Sequence, residues 1–304
     1  MIMKKLLLIP ILLFFGLLNA QEQTIITSDG VELYVKVKGE GTPLLYVHGG
    51  PGSGSFWFEK FFGDFMEKNF TVVYLDQRGV GRSTSPQDDN FSMERVTKDF
   101  EEVREALGYD NWLTLGHSFG GLLQMGYAER YPEAITGMIM VNCTLNIEES
   151  FCESWGPKAA EFLGDKTYIP CDQDPLTFIE KVMALGSRLR EKDLFWKMAY
   201  EHQENQAIMN DTYKGFENWN YDYSNAAMTM EDYRKNFKPA TAGFEKPVLY
   251  FYGTKDWMVG PDHYKDLEFP NVILWKNEGG HIPFQENKEE LSEAILAYKA
   301  KFSF

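Results

Sequence analysis

Three residues far apart in the chain, Ser118, Asp256 and His281, have the types and settings to make a serine nucleophile together. A serine hydroxyl is a weak nucleophile alone. It needs a base to take its proton, and the base needs an acid to hold its tautomer. Ser118 is the centre of Gly116-His117-Ser118-Phe119-Gly120, the one G-x-S-x-G run in the sequence. Residues 112–115 before it read as a buried strand, and residues 121–130 after it as a helix. Strand, sharp turn and helix lift a serine hydroxyl above a sheet edge, and small residues beside it let the turn close. Asp256 ends Gly253-Thr254-Lys255-Asp256, just past a predicted strand, and His281 ends Gly279-Gly280-His281, after the last predicted strand. The chain order is serine, acid, histidine, and all three fall at the same edge of a parallel sheet. Asn142 follows the strand at 137–142 and excludes an acid there.

The tetrahedral intermediate of such chemistry needs two backbone N–H groups aimed at its oxyanion. Phe119, next to the nucleophile, supplies one. Gly50, in His48-Gly49-Gly50-Pro51-Gly52 after the strand at 44–47, is the expected second. The other histidines are weaker candidates. His117 should point away from Ser118, His48 suits a structural hydrogen bond, and His202 and His263 read as surface positions on helices.

The elements that must hold these residues follow from periodicity. Residues 24–38 alternate around Ser28-Asp29-Gly30 as a hairpin. Apolar runs at 44–47, 71–75, 112–115, 137–142, 247–252 and 272–275 read as buried strands, with helical patterns at 56–68, 92–107, 121–130 and 284–302. Strand alternating with helix implies a mostly parallel sheet covered on both faces. The alternation stops at 143–246, which reads as short helices rich in Met, Trp, Tyr and Phe: a helical cap inserted over the site. The core is then 21–142 with 247–304.

Residues 1–20 carry Lys4 and Lys5, an apolar run of 13 residues from Leu6 to Leu18, and small Ala20, the pattern of a secretory signal peptide cleaved before Gln21. An exported chain, periplasmic or secreted and without a stable membrane anchor after cleavage, is the expectation. The formal net charge of −15 argues against nucleic-acid partners. Cys143, Cys152 and Cys171 are odd in number, so at least one stays unpaired within a monomer. Whether the others bridge is open, and their spacing is not that of a zinc site.

His48-Gly49-Gly50-Pro51-Gly52, Asp76-Gln77-Arg78-Gly79-Val80-Gly81-Arg82-Ser83, the serine turn, Asp256 and His281 together resemble the proline iminopeptidase branch of the α/β-hydrolases. The resemblance covers nearly all of the chain between the leader and the C-terminus except the cap. It implies an α/β-hydrolase fold and an aminopeptidase that releases an N-terminal residue, proline by preference, from a small peptide. In that family cap glutamates hold the substrate amine. Glu201, in Tyr200-Glu201, and Glu217, in Phe216-Glu217-Asn218, loosely resemble those segments, with Glu204 a third candidate. The alternative is a hydrolase of small esters, lactones or amides on the same three residues. Neither needs a metal or cofactor. An epoxide hydrolase or dehalogenase is disfavoured, because those use an aspartate where this chain has Ser118.

Overall fold

A computed structural model describes residues 21–171 and 178–304, so the proposed leader at 1–20 lies outside the described residues. Eight strands form one sheet in the order β1-β2-β4-β3-β5-β6-β7-β8. β1 (Gln21–Ile26) and β2 (Glu32–Lys38) make the predicted hairpin at one edge, and β2 runs antiparallel to β4 (Thr71–Leu75). From β4 onward every pairing is parallel, through β3 (Pro43–Val47), β5 (Trp112–His117), β6 (Ile135–Val141), β7 (Val248–Gly253) and β8 (Val272–Asn277).

The central strands are buried almost throughout because both faces are covered, which is why they read as unbroken apolar runs. Successive residues feed opposite layers. Leu45, Val47, Val73 and Leu75 join the core under α2 (Met93–Ala106) and α3 (Gly120–Arg130). Leu44, Tyr46, Val72 and Tyr74 join the core under α1 (Phe56–Met66) and the C-terminal α10 (Lys288–Phe302). Helix α2 begins where Ser92 accepts the Arg95 N–H, and the left-handed Gly108 lies just beyond its end. The single helix expected at the C-terminus is two, α9 (Pro283–Glu286) and α10 (Lys288–Phe302), separated at Asn287.

Among the described residues, 143–246 holds helices and no sheet strand: α4 (Ile147–Glu149), α5 (Gly156–Leu163), α6 (Phe178–Glu191), α7 (Gln203–Tyr213) and α8 (Asp222–Ala227). Trp155, Ala159, Leu163, Leu185, Leu189 and Met198 give it a small core of its own, which packs on Trp257 and Met258 beyond β7. Cys152 and Cys171 form a disulfide within this segment, leaving Cys143 free and buried.

Two buried charge clusters hold the loops next to the site. Arg78 is fully buried and bonds both carboxylate oxygens of Asp99 at 2.6 and 2.8 Å, with Asp29 on its other edge. Asp76, also fully buried, accepts from the Ser55 N–H and hydroxyl and from Arg82. The Asp76–Ser83 run is therefore a brace, whose charges are paired inside the fold.

Candidate active site

The turn after β5 forces Ser118 into the left-handed region, at φ 56°, which few non-glycine residues adopt. Its N–H bonds the Val141 carbonyl at 3.2 Å, and its own carbonyl accepts from Gly121 and Thr144. A side chain at Gly120 would lie 2.3 Å from the Val47 carbonyl, and one at Gly49 would lie 2.9 Å from the Ser118 Cβ. Small residues at these two positions let the turn and the 48–52 loop touch. A strained backbone held by such contacts is the kind found where chemistry needs a fixed side chain.

Asp256 and His281 meet below the same edge. The His281 Nδ1 lies 2.9 Å from Asp256 Oδ2, and Asp256 Oδ1 accepts the N–H groups of Met258 and Val259. Donation of Nδ1–H to the carboxylate leaves the His281 Nε2 lone pair available. The His281 backbone is pinned from both sides: its N–H bonds the Ala199 carbonyl at 2.8 Å, and its carbonyl accepts from His117 Nε2 at 2.9 Å. Ser118 and His281 line one cavity of about 250 Å³, together with Gly50, Ser53, Trp57 and His117 from the core. Phe195, Ala199, Tyr200, Gln206, Met209, Asn210 and Tyr213 close it from the helical segment.

Several positioning residues escaped the sequence reading. Asn142, itself left-handed, donates through Nδ2 to the Gly280 carbonyl and accepts the Gly253 N–H, tying the end of β7 to the His281 loop. An ionised aspartate there could accept but not donate. His117 was expected only to turn from Ser118. Its ring lies against His281 at 4.7 Å and meets Phe284 edge-on, and burial holds its pKa well below the ordinary imidazole value. His48 has the structural role expected: Nε2 accepts the Gln77 N–H while Nδ1 faces the Gly49 carbonyl. The signal for these was the polar residue in an otherwise apolar strand end, which has no meaning until its partners are known.

The other candidates are placed elsewhere. His202 is exposed as expected, but His263 is buried, not superficial; its Nε2 accepts the Leu145 N–H and its Nδ1 lies 3.2 Å from Glu149. Glu201 and Glu217 do not line the cavity that holds Ser118. Glu201 turns the other way to pair with Lys255 at 2.6 Å, while Glu217 and Glu204 are exposed. A larger cavity, about 470 Å³, opens beside His263 and Lys238. It contains none of Ser118, Asp256 and His281, whereas the smaller cavity brings Ser118 and His281 together.

Fold and site together define the class. The family model for the alpha/beta hydrolase fold matches residues 42–288, and the chain belongs to that family. A proline iminopeptidase of Neisseria meningitidis is 39% identical over 103 residues, which is 33% of this chain and 32% of that protein. The chain thus spans about a third of that relative's length. Epoxide hydrolase 1 of Caenorhabditis elegans is 29% identical over 292 residues, covering 88% of this chain and 68% of that one. The crystal structure of a proline iminopeptidase-related protein from Thermus thermophilus superposes with a TM-score of 0.76 at 22% identity, over 93% of this chain and 98% of that one.

Proposed function

We propose that the chain is a serine hydrolase of small, uncharged esters or amides. The observation that carries this reading is the composition of the site: among the described residues, the cavity shared by Ser118 and His281 is lined by no carboxylate and by no lysine or arginine. A substrate ammonium would lose its hydration there without gaining a counter-charge.

In this mechanism Ser118 Oγ attacks the acyl carbon while His281 Nε2 takes the hydroxyl proton. Asp256 holds the imidazole and offsets its charge. The Phe119 and Gly50 N–H groups receive the oxyanion; neither donates to another backbone carbonyl among the described residues. The carbonyl re-forms, the bond to the leaving group breaks, and His281 hands its proton to that group. Water, deprotonated by His281, then releases the acyl group from Ser118.

The aminopeptidase reading, with proline preferred and a glutamate such as Glu201 or Glu217 on the substrate amine, is favoured by the likeness to the Neisseria protein. One panel separates the two: prolyl and alanyl anilides, their N-acetyl forms, and nitrophenyl butyrate, assayed with the purified chain. We expect turnover of the ester and no advantage for a free amine. Hydrolysis of free-amine anilides but not of their acetylated forms would return the aminopeptidase reading.

We further propose that the chain works outside the cytoplasm. The leader pattern at 1–20 and the Cys152–Cys171 disulfide both suit an oxidising compartment. Mass spectrometry of the exported chain should give Gln21 as its first residue; an intact Met1 would contradict cleavage.

A further inference from the structure

We propose that Tyr200, Gln206 and Asn210 form a subsite for a neutral hydrogen-bonding group on the substrate, a carboxamide or a hydroxyl. The proposal rests on the serine-hydrolase reading and narrows its substrate class. Its basis is one face of α7. Gln206, Met209, Asn210 and Tyr213 recur at the spacing of a single helical stripe, and all four line the cavity with Ser118. A stripe that closes over a protein interior is ordinarily apolar. Met209 fits that rule and is buried. Tyr213 has its hydroxyl committed, donating to the Ser53 carbonyl at 2.9 Å. The other two positions hold primary carboxamides, half-buried Gln206 and exposed Asn210, and neither has a hydrogen-bond partner in the protein among the described residues.

Tyr200 adds a third free group. Its ring is largely enclosed, and burial raises the phenol pKa above its ordinary value, so the hydroxyl stays protonated and able to donate. No protein group takes that proton among the described residues, although the residue lines the cavity. Three polar side chains, each able to donate and accept and none bonded to a protein group among the described residues, therefore line one small space. An alkyl arm entering it would displace their water and leave them unmatched, which costs binding. A charged arm would find no carboxylate, lysine or arginine in the lining among the described residues. A neutral polar arm satisfies them. A site built to hydrogen-bond a substrate group discriminates against the analogue that lacks it far more strongly than an apolar pocket discriminates by size.

Two matched ester pairs test this. In the first, a carboxamide ends the acyl arm: the nitrophenyl ester of adipic acid monoamide against that of its branched hydrocarbon isostere. In the second it lies on the alcohol arm: glycolamide butyrate against isobutyl butyrate. The readout is the ratio of kcat/KM within a pair, which a general loss of activity does not move. We expect the wild type to favour the carboxamide member of at least one pair by about tenfold or more. That ratio should fall toward one in Gln206→Met/Asn210→Leu, and should fall partway in Tyr200→Phe. A wild-type ratio near one for both pairs overturns the subsite without recourse to any variant. So does a preference that survives both sets of substitutions. Ser118→Ala, run on the hydrocarbon esters, keeps the two proposals apart. If it still turns them over, the serine-hydrolase reading has failed; if it is inactive while the wild-type ratios are near one, only the subsite has.

Discussion

The sheet edge and the helical segment that closes over it place their side chains by different means. At the edge, backbone geometry decides. Ser118 is where it is because β5 ends in a left-handed turn packed against the Val47 and Gly49 backbones. In the 143–246 segment, packing decides. Tyr200 and Glu201 are neighbours, yet Tyr200 lines the cavity while Glu201 reaches out to Lys255. Turn geometry leaves a mark in residue type, whereas the direction of a side chain in irregular helical structure does not. The turn at the edge is thus readable from residue types, and the directions of side chains in the segment only from the fold.

The sharpest break would come at the edge. On the proposed mechanism, in which Ser118 is the nucleophile, Ser118→Ala should fold as wild type and lose about 10⁴-fold or more of its turnover. Circular dichroism and ester hydrolysis check the two halves of that statement. A folded variant with wild-type rates would show that the turn positions something other than a nucleophile.

The legible and illegible parts of the molecule divide along the same line. Strands β3 to β7 read as apolar runs because both sheet faces are covered, β8 reads as one although it is a partly exposed edge strand, and the hairpin is legible from Asp29-Gly30. Asp256 and His281 were visible because each follows a strand at the shared edge. The supports were hidden: Asn142, the Ala199 carbonyl and His117 act through partners more than 80 residues away in sequence. His263 reads as a surface position on a helix, whereas it lies in a turn and is buried beside Lys238 and Glu149. The pairing of Cys152 with Cys171 could not be derived from three cysteines, since spacing does not encode which two approach.

A second, smaller effect sharpens the comparison through pH. His48 belongs to the edge, and burial, offset in part by nearby Asp76, pushes its pKa down to about 4 from 6.5. The unfolded chain binds this proton below about pH 6.5, while the native chain does not until about pH 4. Between these values the unfolded state holds more protons, so stability falls as pH falls, by about 3 kcal/mol in all. Urea melts across this range should show a shallower loss in His48→Gln, whose amide can still accept from Gln77. An unchanged slope would mean that other groups set the acid sensitivity.

The smallest expected effect lies in the helical segment, and it bears most directly on function. If a glutamate of this segment held a substrate ammonium, removing its charge should cost about 30-fold or more in kcat/KM on free-amine substrates, since charge-assisted bonds shielded from water are strong. The geometry points the other way. Glu217 is exposed, and Glu201 spends its carboxylate on Lys255, which is 55% exposed, so that pair is worth at most about 1 kcal/mol. Glu201→Gln and Glu217→Gln should therefore change kcat/KM by less than about threefold on free-amine anilides and on neutral esters alike. Melting temperatures should stay close to wild type. A large loss confined to free-amine substrates would mean that the segment moves when substrate binds and brings a carboxylate into the cavity. The side-chain directions described for Tyr200 and Glu201 would then belong to one state of the segment, and the edge alone would keep its geometry through the reaction.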